Sequence, residues 1–395
     1  MLPLEAKAEW SGAWHEAGLF KVAGLAEFAS GKFPLERMVL DLRATPSAEA
    51  LTHLPWAGFV VKPDAPIREG LAQVALLDSP EIVRPGDVVE LRPGRSKVAV
   101  RYRRGGNGNV LFATERCNSY CLMCSQPPRE VDDAWRVQQI CDLIDLIDTD
   151  EPSLAISGGE PTLLGEGLLR VVERCAQKLP DTHIHVLSNG RLLEDQGYTR
   201  AFEGLHPSLS WGVPLYGDHY RLHDYVVQRP GAFAQTIRGL YALHEAGQKI
   251  EVRVVLVKPT IERLLEIARY LYRNLPFVEH VALMGTEPVG FAKAHRDALW
   301  VDPVDAGPVL LEAANFLARR GMTVSIYNLP LCTLPEALWP FAQRSISDWK
   351  QRYLPACDGC SLKPRCAGFF GWITPEWTSR SIIPIRLEEG ACARH

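Results

Sequence analysis

The sequence lacks the features of a membrane protein, a secreted protein or a nucleic-acid binder. No stretch approaches the roughly 18 consecutive apolar residues that span a bilayer. The opening "MLPLEAKAEW" carries acidic residues where a secretory signal would be basic and then apolar. The formal net charge of -4 gives no basic footprint for nucleic acid. We therefore expect a cytoplasmic protein with neither a membrane nor a nucleic-acid partner.

Cysteine is too scarce for a disulfide scaffold. The chain has 10 cysteines in 395 residues, and most of them stand in two short groups. Grouped cysteines of this kind are typical of metal-binding thiols in a reducing compartment. We find no internal repeat and no low-complexity tract. A hydrophobic content of 47% is enough for one large core and a small additional domain.

From Leu111 onward, short apolar segments alternate with amphipathic ones, as strands and helices do in a parallel sheet. Six strands are predicted, at 111–114, 153–157, 183–188, 208–213, 250–257 and 278–284. In one predicted helix, a buried stripe is expected at Phe233, Ile237, Leu240 and Tyr241. Six such units predict a partial (β/α)6 barrel, in which chemistry takes place at the carboxyl ends of the strands.

The chain is predicted to have three parts. Residues 1–104 should form a small, mainly β domain, because "VVELRPGRSKVAVRYR" is typical of a hairpin. The partial barrel should occupy residues 105–300, beginning with the linker "GGNGN". Residues 301–395 should form an extension in which a seventh helix and strand lead to a cysteine-rich tail.

Three cysteines stand in one loop directly after the first predicted barrel strand: Cys117, Cys121 and Cys124. A closed structural zinc site needs four ligands, so three thiolates leave one coordination position open. A 4Fe-4S cluster with three protein ligands keeps one iron free to bind another molecule. The alternative is a zinc site that a distant residue completes.

Together with "SGGEPT" after the second strand, this loop resembles the signature of radical S-adenosylmethionine (SAM) enzymes. The resemblance implies a 4Fe-4S cluster on the three thiolates, with SAM bound to the free iron. It also implies reductive cleavage of SAM to a 5'-deoxyadenosyl radical. Such chemistry needs an external electron donor such as flavodoxin or ferredoxin.

The resemblance and the residue chemistry together suggest seven positions that contact SAM: Met123, Gly158, Gly159, Glu160, Ser188, Asn189 and Arg253. The two glycines permit close backbone approach to a ligand, and Glu160 supplies an acceptor for the SAM amino group. Arg253 is a candidate bidentate hydrogen-bond donor to the SAM carboxylate. The alternative role for Arg253 is a structural ion pair with Glu251.

The tail contains a second cysteine group, "CDGCSLKPRC", with Cys357, Cys360 and Cys366. It resembles the auxiliary-cluster domains of radical SAM enzymes that act on peptides, which implies a second, auxiliary 4Fe-4S cluster. We expect Cys332 as its fourth ligand, with Cys392 in reserve. A zinc knuckle is the alternative. The two remaining cysteines, Cys141 and Cys175, are expected to be ordinary core residues.

A longer likeness runs from about residue 111 to 370. Its blocks are "LFATERCNSYCLMCSQPP", "LSNGR", "VPLYGDHYRLHDYVVQRPGAF", "VALMGTEPVGFAKAH", "SIYNLPLC", "SISDWK" and "CAGFF". Together they resemble the C-type radical SAM maturases (HxsC) of His-Xaa-Ser peptide systems. The resemblance implies a ribosomally made precursor peptide with His-Xaa-Ser repeats and a second radical SAM maturase as partner. An auxiliary cluster that accepts an electron after hydrogen abstraction would suit oxidative bond formation, with epimerisation as the alternative. A radical SAM enzyme acting on RNA or a small molecule, or a non-catalytic metal-binding adaptor, is the alternative.

No catalytic residue is assigned from the sequence. Five residues near predicted strand ends are candidates to face the substrate, with loop packing as the alternative: His223, Asp224, Tyr225, Gln228 and Glu287. We further expect residues 85–104 to hold part of the precursor as a strand added to a sheet edge. The alternative is that the N-terminal domain only covers the open side of the barrel.

Overall fold

The computed structural model describes residues 4–12, 14, 17–43, 46–344 and 350–386. The described residues fall into two compact units. The first unit draws on 1–110, 135–154 and 170–182, and the second on 111–134, 155–169 and 183–395. Division of the chain at residues 104 and 300 stays a prediction.

The first unit contains a closed seven-stranded β-barrel with the strand order β1-β5-β4-β3-β2-β6-β7. Its strands are β1 (Glu5–Ser11), β2 (Gly18–Ala23), β3 (Met38–Asp41), β4 (Gly58–Val61), β5 (Gln73–Leu76), β6 (Val88–Leu91) and β7 (Lys97–Tyr102). Alternation places Val98, Val100 and Tyr102 of β7 inside, while Lys97 and Arg101 stay exposed. This N-terminal region is β-rich, as predicted.

The structure contradicts the expected addition of a peptide strand to a sheet edge at residues 85–104, while the role of this segment in holding the precursor stays a prediction. Strands β6 and β7 do form the predicted antiparallel pair. However, β6 also pairs with β2, and β7 also pairs with β1. Because closing a barrel pairs every strand on both sides, neither strand offers a free edge to a peptide.

A second sheet has seven strands in sequential order. They are β8 (Val110–Phe112), β9 (Ser153–Ser157), β10 (His183–Leu187), β11 (Leu209–Pro214), β12 (Lys249–Leu256), β13 (His280–Gly285) and β14 (Thr323–Tyr327). Neighbouring strands from β10 to β14 are parallel. The predicted parallel sheet is therefore present. The six strands expected for the barrel become seven because β14 pairs with β13 in the same sheet.

Helices alternate with these strands. The helices of the described chain are α1 (Leu25–Ser30), α2 (Arg136–Ile144), α3 (Glu166–Lys178), α4 (Gln196–Arg200), α5 (Tyr220–Val227), α6 (Ala232–Glu245), α7 (Lys258–Ile261), α8 (Leu264–Asn274), α9 (Phe291–Ala294), α10 (Arg296–Leu299) and α11 (Pro303–Ala318). No helix in the described ranges is long and apolar enough to cross a membrane.

The buried face of α6 differs from the predicted stripe. Its buried residues include Ala232, Thr236, Leu240 and Leu243, so only Leu240 was predicted correctly. Tyr241 is exposed, and its hydroxyl donates to the carbonyl of Asn274 at 2.6 Å. The polar end of tyrosine explains the difference at Tyr241, because its hydroxyl finds a hydrogen-bond partner while the ring stays at the surface. Phe233 and Ile237 are partly buried.

Candidate active site

The first cysteine group lies in the loop that follows β8, and all three of its thiols are half-buried. Backbone hydrogen bonds fix this loop. The Tyr120 and Leu122 amides donate to the carbonyls of Val227 and Val226 at the end of α5, at 3.1 and 2.9 Å. On its other side, the Phe291 amide donates to the Cys124 carbonyl at 2.9 Å. The spacing of the thiols is thus held by elements far apart in sequence.

Gly158 and Gly159 are where this loop meets the end of β9. A Cβ atom on Gly158 would lie 2.5 Å from the Thr114 carbonyl oxygen, and one on Gly159 would lie 2.1 Å from that of Arg116. The Gly159 amide donates to the Thr114 carbonyl at 2.7 Å. The close backbone approach that these glycines permit is therefore to the thiol loop itself.

Glu160 is fully buried and joins the ends of β9 and β10. Its Oε1 atom accepts from the Thr162 amide and hydroxyl and from the Ser188 hydroxyl, at 3.0, 2.6 and 2.8 Å. Its Oε2 atom accepts from the Asn189 amide at 2.7 Å. Burial raises the pKa of Glu160, and these hydrogen bonds oppose the rise. Among the described residues, Oε2 accepts from one donor and Oε1 from three, so Oε2 retains more capacity to accept.

The loop after β10 contacts the thiol loop directly. The Asn189 side-chain amide donates to Asn118 Oδ1 at 2.6 Å and lies 3.9 Å from Cys117 Sγ. Arg191 donates to the Ser119 hydroxyl at 3.1 Å. Three strand ends, those of β8, β9 and β10, therefore meet around the thiols. Asn118 and Arg191 were missed from the sequence because nothing in their local pattern sets them apart from ordinary loop residues.

The environment of the thiols disfavours their charged form when no cation is bound. Burial, and secondarily the charge of Glu160, raises the pKa of Cys117 to about 11. Burial and the two neighbouring thiols also raise the pKa of Cys121, and burial raises that of Cys124. A bound metal cluster would replace the protons and offset this cost.

Within the described residues, no three His, Cys, Asp or Glu side chains converge on the position of a single metal ion. The thiolates of a cubane bind separate irons, so they need not converge in this way. Three thiols on one loop match that donor set.

Arg253 lies on β12 and is half-buried. Its Nε and Nη2 atoms lie 3.3 and 3.2 Å from Met284 Sδ, and Nε lies 3.4 Å from Glu251 Oε1. His280 contacts the other oxygen of Glu251 at 2.6 Å. Burial opposes ionisation of Glu251, but hydrogen bonds from His185 and His280 and the Arg253 charge outweigh it and hold its pKa well below the usual range. The ion pair considered as the alternative for Arg253 is present.

The other expected SAM-contacting residues are near the thiols or at a strand end. Met123 is buried in an apolar cluster with Leu122 and Tyr216. Ser188 follows β10, and its hydroxyl oxygen also accepts from the Gly190 amide at 3.0 Å. The roles of these residues in binding SAM stay predictions.

Most of the candidates to face the substrate make structural contacts. His223 is buried, and its Nδ1 accepts from the Tyr216 amide at 3.3 Å. Asp224 caps the start of α6 by accepting from the Gly231 and Phe233 amides at 2.6 and 2.8 Å. Gln228 has a positive φ of 54° at the end of α5 and donates to the Tyr225 carbonyl. Tyr225 is exposed.

The second cysteine group forms a cavity. All four predicted thiols line it, together with apolar side chains: Cys332, Cys357, Cys360 and Cys366. Backbone amides point at the sulfurs: those of Leu331 and Gly368 donate to Cys366 Sγ, and that of Ile385 to Cys360 Sγ, each at 3.4 Å. Burial, with the charges of Cys366 and Cys357, raises the pKa of Cys332 to about 11. Cys392, the reserve ligand, lies outside the described residues.

The two helix cysteines are as expected only in part. Cys175 is fully buried, as a core residue should be. Cys141 is half-exposed on α2. Neither lies in the loop or the cavity that holds the other thiols.

Residues 111–271 match the Radical SAM superfamily. This segment begins with β8 and includes the thiol loop, Glu160 and Arg253. Members of this superfamily are enzymes, and the family implies a 4Fe-4S cluster and SAM. No curated protein matches the chain.

Several solved structures are similar to part of the chain. Streptococcus suis SuiB bound to S-adenosylmethionine is 14% identical, with a TM-score of 0.46 over 65% of this chain and 56% of that one. SuiB bound to the precursor peptide SuiA is 14% identical, with a TM-score of 0.43 over 58% and 49%. Native anSMEcpe with bound AdoMet is 17% identical, with a TM-score of 0.44 over 55% and 62%. The chain thus spans about half to three fifths of the length of these structures.

Proposed function

We propose that this protein is a radical SAM maturase that modifies a ribosomally made precursor peptide with His-Xaa-Ser repeats. One observation carries the proposal: the domain's thiol loop is held against the ends of β9 and β10 by Gly159, Glu160 and Asn189. When bound, the cluster and SAM would supply a 5'-deoxyadenosyl radical. The protein's own task is to hold the three thiolates and to orient SAM beside them.

The residues around the loop have the chemistry that this task needs. Cys117, Cys121 and Cys124 would hold the cluster. Oε2 of Glu160 has capacity to accept from an amino group, and Arg253 offers a guanidinium whose present neighbours include the weak acceptor Met284 Sδ. These roles are proposed together with the contributions of Met123, Gly158, Gly159, Ser188 and Asn189.

We further propose an auxiliary 4Fe-4S cluster on Cys332, Cys357, Cys360 and Cys366. The common cavity of the four thiols and the amide hydrogen bonds to their sulfurs support it. A second cluster would accept an electron after hydrogen abstraction, which suits oxidative bond formation. A zinc knuckle on the same four cysteines is the alternative, and metal analysis separates the two.

The identity of the peptide rests on the sequence blocks that resemble HxsC maturases. The proposal includes a cytoplasmic setting, an external donor such as flavodoxin or ferredoxin, and a second radical SAM maturase as partner. A substrate of this kind needs an open groove for an extended segment.

The test is anaerobic reconstitution of the full chain, followed by reductant, SAM and a His-Xaa-Ser repeat peptide. We expect 5'-deoxyadenosine release that the peptide stimulates and that is lost in the Cys117→Ala/Cys121→Ala/Cys124→Ala variant. The Cys141→Ala variant is the matched control, because Cys141 is a half-exposed cysteine on α2 and not part of the thiol loop. A repeat peptide with His and Ser changed to alanine controls for sequence.

The possible failures have different meanings. Zinc in place of iron, with no deoxyadenosine under any condition, would refute the enzymatic proposal. Deoxyadenosine release that no His-Xaa-Ser peptide stimulates or consumes would leave a radical SAM enzyme with another substrate, such as RNA or a small molecule.

A further inference from the structure

A half-buried charge pair lies at the carboxyl end of β13. Lys350 Nζ and Glu287 Oε2 are 3.8 Å apart, and the two side chains are 24% and 22% exposed. This separation is beyond hydrogen-bond distance. Neither side chain makes a hydrogen bond to any other residue that the structure describes. Each group therefore keeps most of its hydrogen-bonding capacity in a place where water is partly excluded.

The local electrostatics agree with incomplete pairing. Burial raises the pKa of Glu287, and the charge of Lys350 only partly offsets the rise. Burial lowers the pKa of Lys350, Glu287 opposes this, and the like charge of Arg253 adds to it. Burying charges without hydrogen bonds is costly, so such a pair is an unusual choice for a purely structural contact.

The pair is connected to both cysteine groups. Glu287 precedes Gly290, where a Cβ would lie 2.4 Å from the Cys124 carbonyl oxygen, and Phe291 binds that same oxygen. Lys350 precedes Arg352, whose backbone forms an antiparallel bridge with Phe369, three residues after Cys366. Lys350 Nζ also lies 5.7 Å from the ring centre of Phe370. Short chain segments thus tie the pair to the first thiol loop and to the second thiol cavity.

We propose that Glu287 and Lys350 form the binding site for the polar side chain of the peptide substrate that is modified. The ligand is a side chain with both a donor and an acceptor, such as a neutral imidazole or a hydroxyl. Its donor binds the Glu287 carboxylate and its acceptor binds the Lys350 ammonium. This inference rests on the proposed function, because it presupposes a peptide substrate.

The experiment measures binding of a fluorescein-labelled His-Xaa-Ser repeat peptide to the reconstituted full-length protein by anisotropy. Glu287→Gln and Lys350→Met are compared with wild type. Lys350→Arg tests whether another positively charged hydrogen-bond donor at this position preserves binding. Glu266→Gln is the matched control, because Glu266 forms an exposed ion pair with Arg269 on α8. Iron content and thermal melting of each variant report on folding. The same titrations are repeated with a peptide in which His and Ser are alanine.

We expect Glu287→Gln and Lys350→Met to weaken binding of the repeat peptide at least tenfold. Lys350→Arg and Glu266→Gln should bind within about threefold of wild type. The alanine peptide should bind all forms equally weakly. Wild-type affinity in both Glu287→Gln and Lys350→Met would overturn the site, and so would an equal loss for both peptides.

Failure of this site and failure of the proposed function give different results. If wild type binds and processes the repeat peptide while Glu287→Gln and Lys350→Met bind it normally, only the site is wrong. If wild type neither binds the peptide nor releases deoxyadenosine with it, the proposed substrate is wrong, and so is the proposed binding site at Glu287 and Lys350.

Discussion

Glu160 Oε2 accepts the backbone amide of Asn189 at 2.7 Å, and this bond joins the ends of two neighbouring parallel strands. Glu160, which the family resemblance suggests as an acceptor for SAM, therefore also connects the two strand ends by a hydrogen bond. Both roles are compatible, because a carboxylate oxygen can accept more than one donor.

Loss of the Glu160 carboxylate should destabilise the protein. Glu160→Ala leaves the Ser188 hydroxyl and the Asn189 and Thr162 amides without their acceptor, so we expect a loss of about 2–4 kcal/mol. Urea unfolding with fluorescence detection measures it. Glu173→Gln, an exposed position on α3, should change stability by less than about 0.5 kcal/mol. If Glu160→Ala were as stable as wild type, the hydrogen bonds to Glu160 would not stabilise the fold.

Iron content should divide between the two cysteine groups. A reconstituted wild-type chain should hold about eight irons, and replacing either group by alanine should leave about four. Anaerobic iron and sulfide analysis gives the counts, with Cys141→Ala as control. Cys332→Ala alone should impair the second cluster. If that variant keeps all its iron, another ligand completes the second site, and Cys392 would be the first to test.

Arg253 should be needed for SAM affinity. Lysine keeps the positive charge but lacks the planar guanidinium that can donate two parallel hydrogen bonds to a carboxylate. Arg253→Lys should therefore weaken SAM binding about tenfold. Equilibrium dialysis of the reconstituted protein measures this, with Arg269→Lys on α8 as control. If Arg253 serves only as the partner of Glu251, SAM affinity will stay at the wild-type value while stability falls.

His223 should make the second unit sensitive to mild acid. Burial lowers the pKa of His223 from 6.5 to about 4, so between these values the unfolded chain binds a proton that the folded chain does not. Stability should therefore fall as pH falls through this window, by at most about 1.4 kcal/mol per pH unit. In His223→Asn, the slope of unfolding free energy between pH 5 and 6.5 should be smaller.

The control for this experiment is His244→Asn, at an exposed position on α6. It should retain the wild-type slope. An unchanged slope in His223→Asn would mean that His223 is protonated in the folded chain or that other groups dominate.

Local patterns predicted the sheet well. The strand expected at 153–157 is β9, Ser153–Ser157, because a short apolar run bounded by polar turns has few other solutions. Closure of the first barrel could not be predicted, since pairing Glu5 with Ala99 depends on contacts far apart in sequence. The pairing of Lys350 with Glu287 could not be predicted for the same reason, because the two residues are far apart in sequence.

For the candidate site, too, some features were predicted from the sequence and others were not. Cysteine spacing identified both thiol groups, and Cys332 lines the same cavity as Cys357, Cys360 and Cys366. The contact of Gly158 and Gly159 with the thiol loop could not be predicted from local pattern, because it depends on how two strand ends meet. Side chains such as His223 and Asp224 had motifs around them but pack as structural residues.

The first compact unit is discontinuous in sequence, and this has a consequence for synthesis on the ribosome. Its barrel contains Lys21, whose buried ammonium bonds to Asp148 at 2.7 Å, and the unit extends to Thr182. Because domains fold as their chain emerges, this unit lacks essential partners until about residue 182 has left the exit tunnel. The loop with Cys117, Cys121 and Cys124 emerges before that point. The three thiols of that loop are therefore synthesised before the first unit is complete.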